Sequence, residues 1–252
     1  MSEHIEQLKD LLSHCQRAVV FTGAGISTES GIPDFRSPGG IWSKHQPVDF
    51  SDFVASADAR RASWRLKLMF DRDMQDAKPN LGHLAIASLV ASDVVSHVIT
   101  QNIDGLHQLS GVPDDKIIEL HGNATYAHCL DCGQRYDLAL IKENFERDES
   151  LPVCEHCDGL VKAATISFGQ AMPEQAMLQA QVASNECDLF LAVGSSLQVY
   201  PAAGFPLVAK RNGAKLVIIN RDPTDMDDSA DLLIHDEIGL TLNGALPESR
   251  PY

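Results

Sequence analysis

The stretch Ala18–Arg36, with the sequence AVVFTGAGISTESGIPDFR, decides the fold that the rest of the chain must build. Its first four residues are an apolar run bounded by Thr22 and Gly23, which is typical of a fully buried strand. Gly23 and Gly25 then allow a tight turn and a close approach of the backbone to a ligand. Backbone N–H groups at such a strand-to-helix turn can bind a pyrophosphate. A glycine-containing turn without a ligand is the alternative for this motif alone.

The turn departs from the ordinary dinucleotide-binding fingerprint. Thr28 stands where the pattern G-x-G-x-x-G has its third glycine. An ordinary NAD-binding fold also carries an acidic residue about 20 residues further on, at the end of its second strand. The segment Ser37–Val48 contains no acidic residue and is rich in Pro, Gly and Ser, which indicates a loop. We therefore expect another segment to hold the adenosine ribose and a long loop to lie over the site.

Length, composition and charge limit the class of protein. The 252 residues are enough for one or two domains, and a hydrophobic fraction of 44% supports a full core. No apolar run approaches the roughly 18 residues of a membrane span, and the polar N-terminus is not a signal peptide, so we expect a cytoplasmic protein without a membrane partner. A net charge of −15 argues against direct nucleic-acid binding. It allows a basic protein or peptide partner, or serves solubility alone.

Strands and helices alternate along the chain. Apolar runs predict strands at 18–22, 96–101, 162–168, 188–196, 215–220 and 231–235. Helices are predicted at 2–15, 51–77, 83–91, 138–146, 173–184 and 201–212, with Pro173 at a first helical position. This alternation predicts an α/β fold, a Rossmann-like parallel sheet with helices on both faces. Ligands of such sheets bind beyond the C-terminal strand ends, where the motifs GAGIS, TQNID, GSS and NRD stand.

Four cysteines form two CxxC pairs separated by 21 residues: Cys129, Cys132, Cys154 and Cys157. This spacing predicts one tetrahedral zinc ion with four thiolate ligands, which is a closed and therefore structural site. His128 and His156 flank the cysteines and are alternative ligands, while free thiols or a redox disulfide are the alternative without metal. Because the pairs interrupt the strand–helix alternation, we expect a second, small domain inserted in the first.

The segment TQNIDGLH at 100–107 follows a predicted buried strand. The side chains of Gln101, Asn102 and Asp104 at a strand end can bind a carboxamide or a ribose. A polar loop closed by local turns is the alternative. The NRD segment at 220–222 ends a later predicted strand. It could supply the ribose contact that is missing after the first strand, or simply turn the chain.

His121, followed by Gly122, stands just before the first CxxC pair. A positioned histidine near its unperturbed pKa is the usual general base of an enzyme. A single histidine among ten is more often a packing or surface residue, so this residue alone leaves both roles open.

Together the motifs resemble one protein family, the sirtuins, which are NAD-dependent protein-lysine deacylases. The matching segments, in order, are GAGIS at 23–27, GIPDFR at 31–36, TQNIDGLH at 100–107, HG at 121–122, the two CxxC pairs, FG at 168–169, GSSLQVYPA at 194–202 and INRDPT at 219–224. They extend over almost the whole chain. The chain is therefore identified as a member of this family, of the bacterial type with a single catalytic domain over 1–252.

The resemblance implies how the chain is divided. A large Rossmann-like part would comprise 1–36, 80–122 and 162–252. A small part would comprise a cofactor loop and helical module at 37–79 and a zinc module at 123–161. NAD, as cosubstrate, and an acyl-lysine protein or peptide would enter the cleft between the two parts from opposite sides. The resemblance also implies one structural zinc ion and a monomeric protein.

The resemblance further implies roles for single residues. His121 and Asn102 would be catalytic. Cofactor binding would involve Gly23, Ala24, Gly25, Asp34, Phe35, Arg36, Gln101, Asn102, Ile103, Asp104, His121, Gly194, Ser195, Ser196, Asn220, Arg221, Asp222 and Ile238. The substrate peptide would pair as an added strand and contact Phe168, Gly169, Leu197 and Val199.

In the implied reaction, the amide oxygen of acyl-lysine attacks the anomeric carbon of the ribose and nicotinamide leaves. His121 would then act as general base on the ribose hydroxyl that attacks the imidate carbon, giving free lysine and O-acyl-ADP-ribose. Two other classes stay open. One is a mono-ADP-ribosyltransferase on the same scaffold, against which the pair His121-Gly122 weighs. The other is a non-catalytic module that senses NAD or ADP-ribose.

The sequence departs from the family pattern near the expected binding surfaces. Gln170 and Asp222 stand where glutamate is usual or common. Family members that prefer succinyl- or malonyl-lysine carry a Tyr-x-x-Arg pair, whereas the aligned residues here are Trp64 and Lys67. Lys67 could neutralise a carboxylate but lacks the planar guanidinium fork. We therefore expect Trp64 and Lys67 to line the acyl pocket, and acetyl-lysine to be preferred over succinyl-lysine.

Overall fold

Two β-sheets organise the computed structural model of the protein, which describes residues 3–34, 40, 46–74 and 76–247. The strands are β1 (Ala18–Thr22), β2 (Val95–Thr100), β3 (Ile117–Glu119), β4 (Gly122–Cys129), β5 (Arg135–Asp137), β6 (Val161–Thr165), β7 (Leu189–Val193), β8 (Lys215–Ile219) and β9 (Leu232–Ile234). Six of them form a parallel sheet in the order β3-β2-β1-β7-β8-β9. The strand order therefore reverses between β1 and β7, which is where open parallel sheets bind their ligands.

Helices connect these strands. They are α1 (Glu3–His14), α2 (Phe50–Ala55), α3 (Ala57–Met74), α4 (Leu81–Ala91), α5 (Leu106–Leu109), α6 (Leu138–Asp148), α7 (Glu174–Glu186), α8 (Phe205–Arg211) and α9 (Ile238–Gly244). A 3-10 helix, Ala24–Ser30, follows β1. Within the described ranges, no helix combines the length and the apolar character that crossing a membrane requires.

Both faces of the parallel sheet are covered. One core cluster joins α1, α4 and α9 to the face that contains Val20 of β1. A second cluster joins α7 and α8 to the opposite face, which contains Val19 and Phe21. All five residues of β1 are buried, because a strand covered on both faces has no polar side. The predicted Rossmann-like α/β fold is confirmed.

The remaining strands form an antiparallel sheet in the order β5-β4-β6. The strand predicted at 162–168 corresponds to β6, and its expected place in the parallel sheet is wrong. β6 pairs antiparallel with β4, from Gly122 opposite Thr165 to Cys129 opposite Val161. The chain turns back through both CxxC pairs between these strands. The prediction failed because an apolar run indicates that a strand is buried but not which strand it pairs with.

Some helix ends differ from the predicted bounds. The helix predicted at 51–77 is two helices, since Ser56 between α2 and α3 is extended, with φ −129° and ψ 128°. Pro173 is the N-cap of α7 and not its first helical residue. α4 begins after Asn80, whose side-chain oxygen accepts hydrogen bonds from the backbone of Gly82 and His83. This cap satisfies two donors that the helix itself leaves unpaired.

A third core cluster joins α3 to the zinc module. Trp64 of α3 is 2% exposed and packs there together with Leu68. The other buried members are Ala127, Cys129, Ile141, Phe145, Cys154, Val161 and Ala163. Two of the cysteines of the predicted zinc site therefore belong to the same core as the largest side chain of α3.

Candidate active site

The turn after β1 packs directly against the end of β7. The N–H of Gly25 donates to the carbonyl oxygen of Gly194 at 2.8 Å. A Cβ on Gly23 would lie 2.7 Å from the Gly194 oxygen, and one on Gly25 would lie 2.8 Å from the Gly194 Cα. The glycines are therefore required by the contact between two strand ends, and not only by a ligand as the sequence suggests. Because the N–H of Gly25 is bonded within the protein, it is not available to a pyrophosphate.

Buried side chains connect the segment after β2 to this turn. Asn102 is 6% exposed, and its Nδ2 donates to the Gly23 carbonyl at 3.1 Å and to Ser27 Oγ at 3.2 Å. The Ser27 hydroxyl donates to Asp104 Oδ2 at 2.7 Å. The structure thus brings the predicted residues Asn102 and Asp104 together. Ser27 is a site residue that the sequence analysis did not single out, although it belongs to the GAGIS motif.

Gln101 connects β2 to β7 at the same edge. Its Nε2 donates to Ser195 Oγ at 2.9 Å, and its backbone N–H donates to the carbonyl of Thr22 at 2.9 Å. Ser195 is buried and Ser196 is exposed, while Ile103 is half-buried. The predicted TQNI and GSS residues therefore lie at the ends of β2 and β7, on either side of β1.

His121 lies between β3 and β4 and faces the end of β2. Its Nδ1 is 3.0 Å from the carbonyl oxygen of Gln101. A carbonyl oxygen only accepts, so Nδ1 carries the hydrogen and Nε2 of the neutral ring keeps a free lone pair. Burial lowers the pKa of His121 below its ordinary value of 6.5, and the hydrogen bond to Gln101 raises it by less. A neutral imidazole with a bare Nε2 is suited to act as a general base near pH 7.

Gly122 fixes the backbone next to His121. Its φ is +72°, and an added Cβ would lie 1.9 Å from the carbonyl oxygen of Ala164 in β6. We expect Gly122→Ala to lower the free energy of unfolding by about 2–4 kcal/mol, because it adds a clash with backbone to a left-handed conformation. Urea unfolding of the purified variant measures this change.

Gly213→Ala is the matched control for that substitution. Gly213 also has a positive φ, of +95°, but no atom lies within 4 Å of an added Cβ. It should therefore lose only the roughly 1–2 kcal/mol of a left-handed L-residue. Equal losses in the two variants would contradict the close contact between β4 and β6.

A half-buried carboxylate close to His121 in the chain was missed by sequence analysis. Glu119 Oε1 accepts from Gln108 Nε2 at 2.7 Å and from Asn123 Nδ2 at 2.6 Å. Burial raises the pKa of Glu119, and the two amide hydrogen bonds oppose this rise. One acidic residue in an acidic chain carries no sequence signal, and its partners lie on separate elements. These bonds connect Glu119 and Asn123, which precede and follow His121 in the chain, to Gln108 of α5.

Residues predicted for the adenosine side lie at the ends of β7 and β8. Asn220 Nδ2 donates to the backbone carbonyl of Asp222 at 2.7 Å. Arg221 and Asp222 are exposed, with 3.4 Å between guanidinium and carboxylate. Ile238 is 6% exposed and packs in the first core cluster. An added Cβ on Gly194 would lie 3.0 Å from Ile238 Cδ1, so this side chain borders the strand-end contact.

The predicted cofactor loop follows the 3-10 helix. Ala24 and Asp34 are half-buried. Phe35, Arg36 and the loop predicted over 36–45, except Gly40, lie outside the described residues. Their roles stay predictions.

The segment predicted to contact the peptide is exposed just after β6. Phe168 is 45% exposed, and its carbonyl accepts from the N–H of Phe50 at 2.9 Å. Gln170, which replaces the usual glutamate, closes a turn around Gly169. Its Oε1 accepts from the N–H of Ser167 at 3.1 Å. The amide side chain therefore orders this segment without placing a charge on it.

The other predicted substrate residues have different environments. Leu197 is 2% exposed and packs in the second core cluster, so its side chain is not available to a peptide, while Val199 is half-buried. Trp64 fills the third core cluster, and we assign it to the core rather than to the predicted acyl pocket. Lys67 pairs with Asp71 one turn along α3, and burial lowers the pKa of Lys67. Its charge is therefore already matched.

Four cysteine sulfurs lie within 4.8 Å of one another, and neither His128 nor His156 belongs to this cluster. The Sγ atoms of Cys129 and Cys157 are 3.5 Å apart, and those of Cys132 and Cys154 are 3.6 Å apart. Tetrahedral zinc with bonds of about 2.3 Å places its sulfur ligands about 3.8 Å apart, so the cluster fits this ion. The Tyr136 hydroxyl donates to Cys154 Sγ at 3.1 Å and lowers the pKa of that thiol. The four cysteines are positioned to bind one structural zinc ion.

A parallel sheet whose strand order reverses between β1 and β7, a neutral histidine held at the end of β2 and a four-cysteine module define an enzyme of the NAD-using, zinc-stabilised class. The model of the Sir2 family matches residues 23–201. The chain belongs to this family.

Similar proteins match almost the whole chain. An NAD-dependent protein deacetylase of Rhodopseudomonas palustris is 54% identical over 242 residues, which are 96% of each chain. NAD-dependent protein deacetylase 1 of Bradyrhizobium diazoefficiens is 56% identical over 94% of this chain and 93% of its own. A solved structure of Sir2 bound to acetylated peptide has a TM-score of 0.83 and 36% identity, and the match covers 96% of each chain.

Proposed function

We infer that this chain is an NAD-dependent protein-lysine deacylase. The observation that carries the inference is the hydrogen bond from His121 Nδ1 to the Gln101 carbonyl, which leaves Nε2 bare as a base at the C-terminal strand ends, where open parallel sheets bind their ligands. The similar proteins named NAD-dependent protein deacetylases support it.

The chain's own groups orient the reactants and move one proton. NAD, when bound, supplies the ADP-ribosyl group that accepts the acyl chain as nicotinamide leaves. Gln101, Asn102 and Asp104 present amide and carboxylate groups suited to a ribose and a carboxamide. His121 takes up the proton of a ribose hydroxyl at Nε2, while the Gln101 carbonyl holds the opposite side of the ring. One water molecule is consumed, and free lysine, nicotinamide and O-acyl-ADP-ribose are the products.

The remaining contacts of NAD follow the strand ends. Ala24, Asp34, Phe35 and Arg36 take part in cofactor binding. The adenosine end lies against the ends of β7 and β8, where Ser196, Arg221 and Asp222 are exposed. Ile238 is buried at that contact, so its part is to shape the floor.

The protein substrate binds as an added strand between Phe168-Gly169 and the segment around Val199. The exposure of Phe168 supports this position. The chain acts as a cytoplasmic monomer without a membrane or nucleic-acid partner, and its two CxxC pairs suit metal binding in a reducing compartment. The division into a large part (1–36, 80–122, 162–252) and a small part (37–79, 123–161) gives the cleft its two sides.

Nicotinamide release, with and without an acetyl-lysine peptide, tests the proposed function. We expect release that depends on the peptide, together with deacetylated peptide and O-acetyl-ADP-ribose by mass spectrometry. Nicotinamide release with ADP-ribose attached to protein and no deacetylated peptide would identify a mono-ADP-ribosyltransferase. NAD binding without any product would identify a sensing module.

We expect deacetylation to exceed desuccinylation in kcat/KM on one peptide sequence. Lys67 is paired with Asp71, so a succinyl carboxylate would meet a cation that is already neutralised. Burying a carboxylate without a partner is costly, and a difference of about tenfold or more follows. Parallel assays of acetyl- and succinyl-peptides measure the ratio.

Two variants separate the role of the ion pair from that of the helix. Asp71→Asn removes the anion and should shift the ratio toward succinyl-lysine, whereas Lys67→Met should lower desuccinylation and spare deacetylation. A wild-type preference for succinyl-lysine, abolished by Lys67→Met, would show that Lys67 serves as the acyl carboxylate partner.

A further inference from the structure

Two histidines lie buried behind the segment after β2 and take no part in the mechanism above. His83 belongs to α4 and His107 to α5, and their exposed fractions are 0% and 2%. Their ring centroids are 5.1 Å apart, with an angle of 57° between the planes. Burial lowers the pKa of both imidazoles, so both are neutral at pH 7. A neutral imidazole has one N–H donor and one acceptor nitrogen, and its contacts decide which is which.

The contacts of His83 place its hydrogen on Nε2. The backbone nitrogen of Asn80 lies 3.4 Å from His83 Nδ1. A backbone amide nitrogen only donates, so Nδ1 is the acceptor. Nε2 therefore carries the hydrogen, and it makes no hydrogen bond to another described residue in the present orientation of the ring.

The tautomer of His107 follows from two threonine hydroxyls. Thr22 Oγ1 lies 2.8 Å from Thr100 Oγ1 and 2.9 Å from His107 Nε2. A hydroxyl has one hydrogen, so a Thr22 that donates to Thr100 must accept from Nε2–H of His107, which leaves Nδ1 bare. Thr100 Oγ1 also accepts from the backbone N–H of Asn102 at 3.0 Å.

The opposite direction of the hydrogen bond between Thr22 and Thr100 is unfavourable. It would put the hydrogen of His107 on Nδ1, which has no partner among the described residues. Two buried N–H donors, one on each ring, would then lack acceptors. An unsatisfied buried donor is destabilising. The favoured arrangement is therefore the one in which the N–H of His83 faces the acceptor nitrogen of His107.

We propose that Nε2–H of His83 donates to Nδ1 of His107, and that this histidine pair positions Asn102 through the hydroxyls of Thr22 and Thr100. The inference rests on the proposed function, since Asn102 acts only within that site. A ring-centroid separation of 5.1 Å allows an N···N distance of roughly 3 Å once the two nitrogens face each other. His83 and His107 are positioning residues that touch no substrate.

This series of hydrogen bonds ends at Asn80 on one side and at Asn102 on the other, and both residues bind backbone of the active site. Asn80 Nδ2 donates to the carbonyl of Ile26 at 2.7 Å and to Ser30 Oγ at 2.9 Å, so Asn80 holds the 3-10 helix after β1. Asn102, at the other end, holds the Gly23 carbonyl. The histidine pair therefore sets the spacing between the GAGIS turn and the TQNID segment. A misplacement of about 1 Å in such an arrangement can cost about 10²-fold in rate.

Tautomers in the unliganded protein give the first test. Isotope-labelled histidine and long-range nitrogen–proton spectra should show His83 and His107 as Nε2–H tautomers and His121 as the Nδ1–H tautomer. A scalar coupling between His83 Nε2 and His107 Nδ1 should report the bond between the rings. An Nδ1–H tautomer at His83 or His107 would overturn the proposal. Because the measurement needs no activity, it stands apart from any failure of the proposed function.

Substitution of His107 gives the second test. His107→Phe keeps a planar ring without nitrogen and should lower kcat of deacylation by about tenfold or more, with little change in KM for the peptide. His107→Gln keeps an N–H donor toward Thr22 and should restore most of kcat. An unchanged kcat in the Phe variant, or no recovery in the Gln variant, would overturn the proposal.

His97→Phe is the matched control. His97 is a half-buried histidine in β2, in the N-terminal half of the strand, and its Nδ1 also lacks a partner among the described residues. Its substitution should leave kcat unchanged, because no described bond links it to Asn102. If the His107 variants do not fold, the tautomer spectra of the unsubstituted protein decide the question.

Discussion

The His121→Ala variant is expected to fold and bind NAD but to lose deacylation by about 10²–10⁴-fold. His121 is held by one hydrogen bond, from Nδ1 to the Gln101 carbonyl, and its other nitrogen is free to take a proton. Alanine removes that proton acceptor and leaves the strands on either side in place. Product formation by mass spectrometry and NAD affinity by calorimetry measure the two halves of this expectation.

The pH profile supplies an independent check on the same residue. Burial lowers the pKa of His121, so the base stays unprotonated down to a pH below 6.5. Protonation removes the lone pair of the base, so kcat/KM decreases at acid pH. The midpoint of this decrease should lie below pH 6.5. His97→Ala, on a half-buried histidine of β2, serves as the control and should keep the profile. Near-wild-type product formation by His121→Ala would reject the assignment.

The parallel sheet could be predicted because its strands are buried on both faces. A strand such as Ala18–Thr22 needs an uninterrupted apolar run, and the helices between such strands need only ordinary amphipathic patterns. The partner of a strand is a different question. Val161–Thr165 has the same apolar character, yet it pairs antiparallel beside the zinc module, since composition does not encode which edge a strand meets.

The site shows the same division between local and distant information. The motifs around Gln101, Asn102 and His121 mark strand ends, so their convergence follows from the fold. The bonds that orient them do not, because Ser27, His83 and His107 act through partners far away in sequence. Trp64 illustrates the converse: a large side chain at an expected pocket position instead fills the core between α3 and the zinc module.

Loss of the zinc ion is expected to unfold the small part of the protein. The purified protein should contain one zinc ion per chain, held by Cys129, Cys132, Cys154 and Cys157. Two of these ligands belong to the core that contains Trp64, so metal binding and packing are coupled. Structural zinc contributes about 10–16 kcal/mol in small zinc-binding peptides, which is comparable to the whole stability of a domain.

Cys132→Ala should therefore lower the thermal midpoint and the soluble yield. Activity should be lost because the small part unfolds, and not because the base His121 is altered. Cys132 is an exposed ligand, so its replacement removes a zinc bond without opening a large cavity in the core. Cys15→Ala, on a half-buried thiol outside the cluster, is the matched control and should keep the full zinc content. Elemental analysis and thermal unfolding measure both variants. Four thiolates complete the coordination shell of a structural zinc ion. A zinc content below about half an equivalent in zinc-supplemented protein would count against the site.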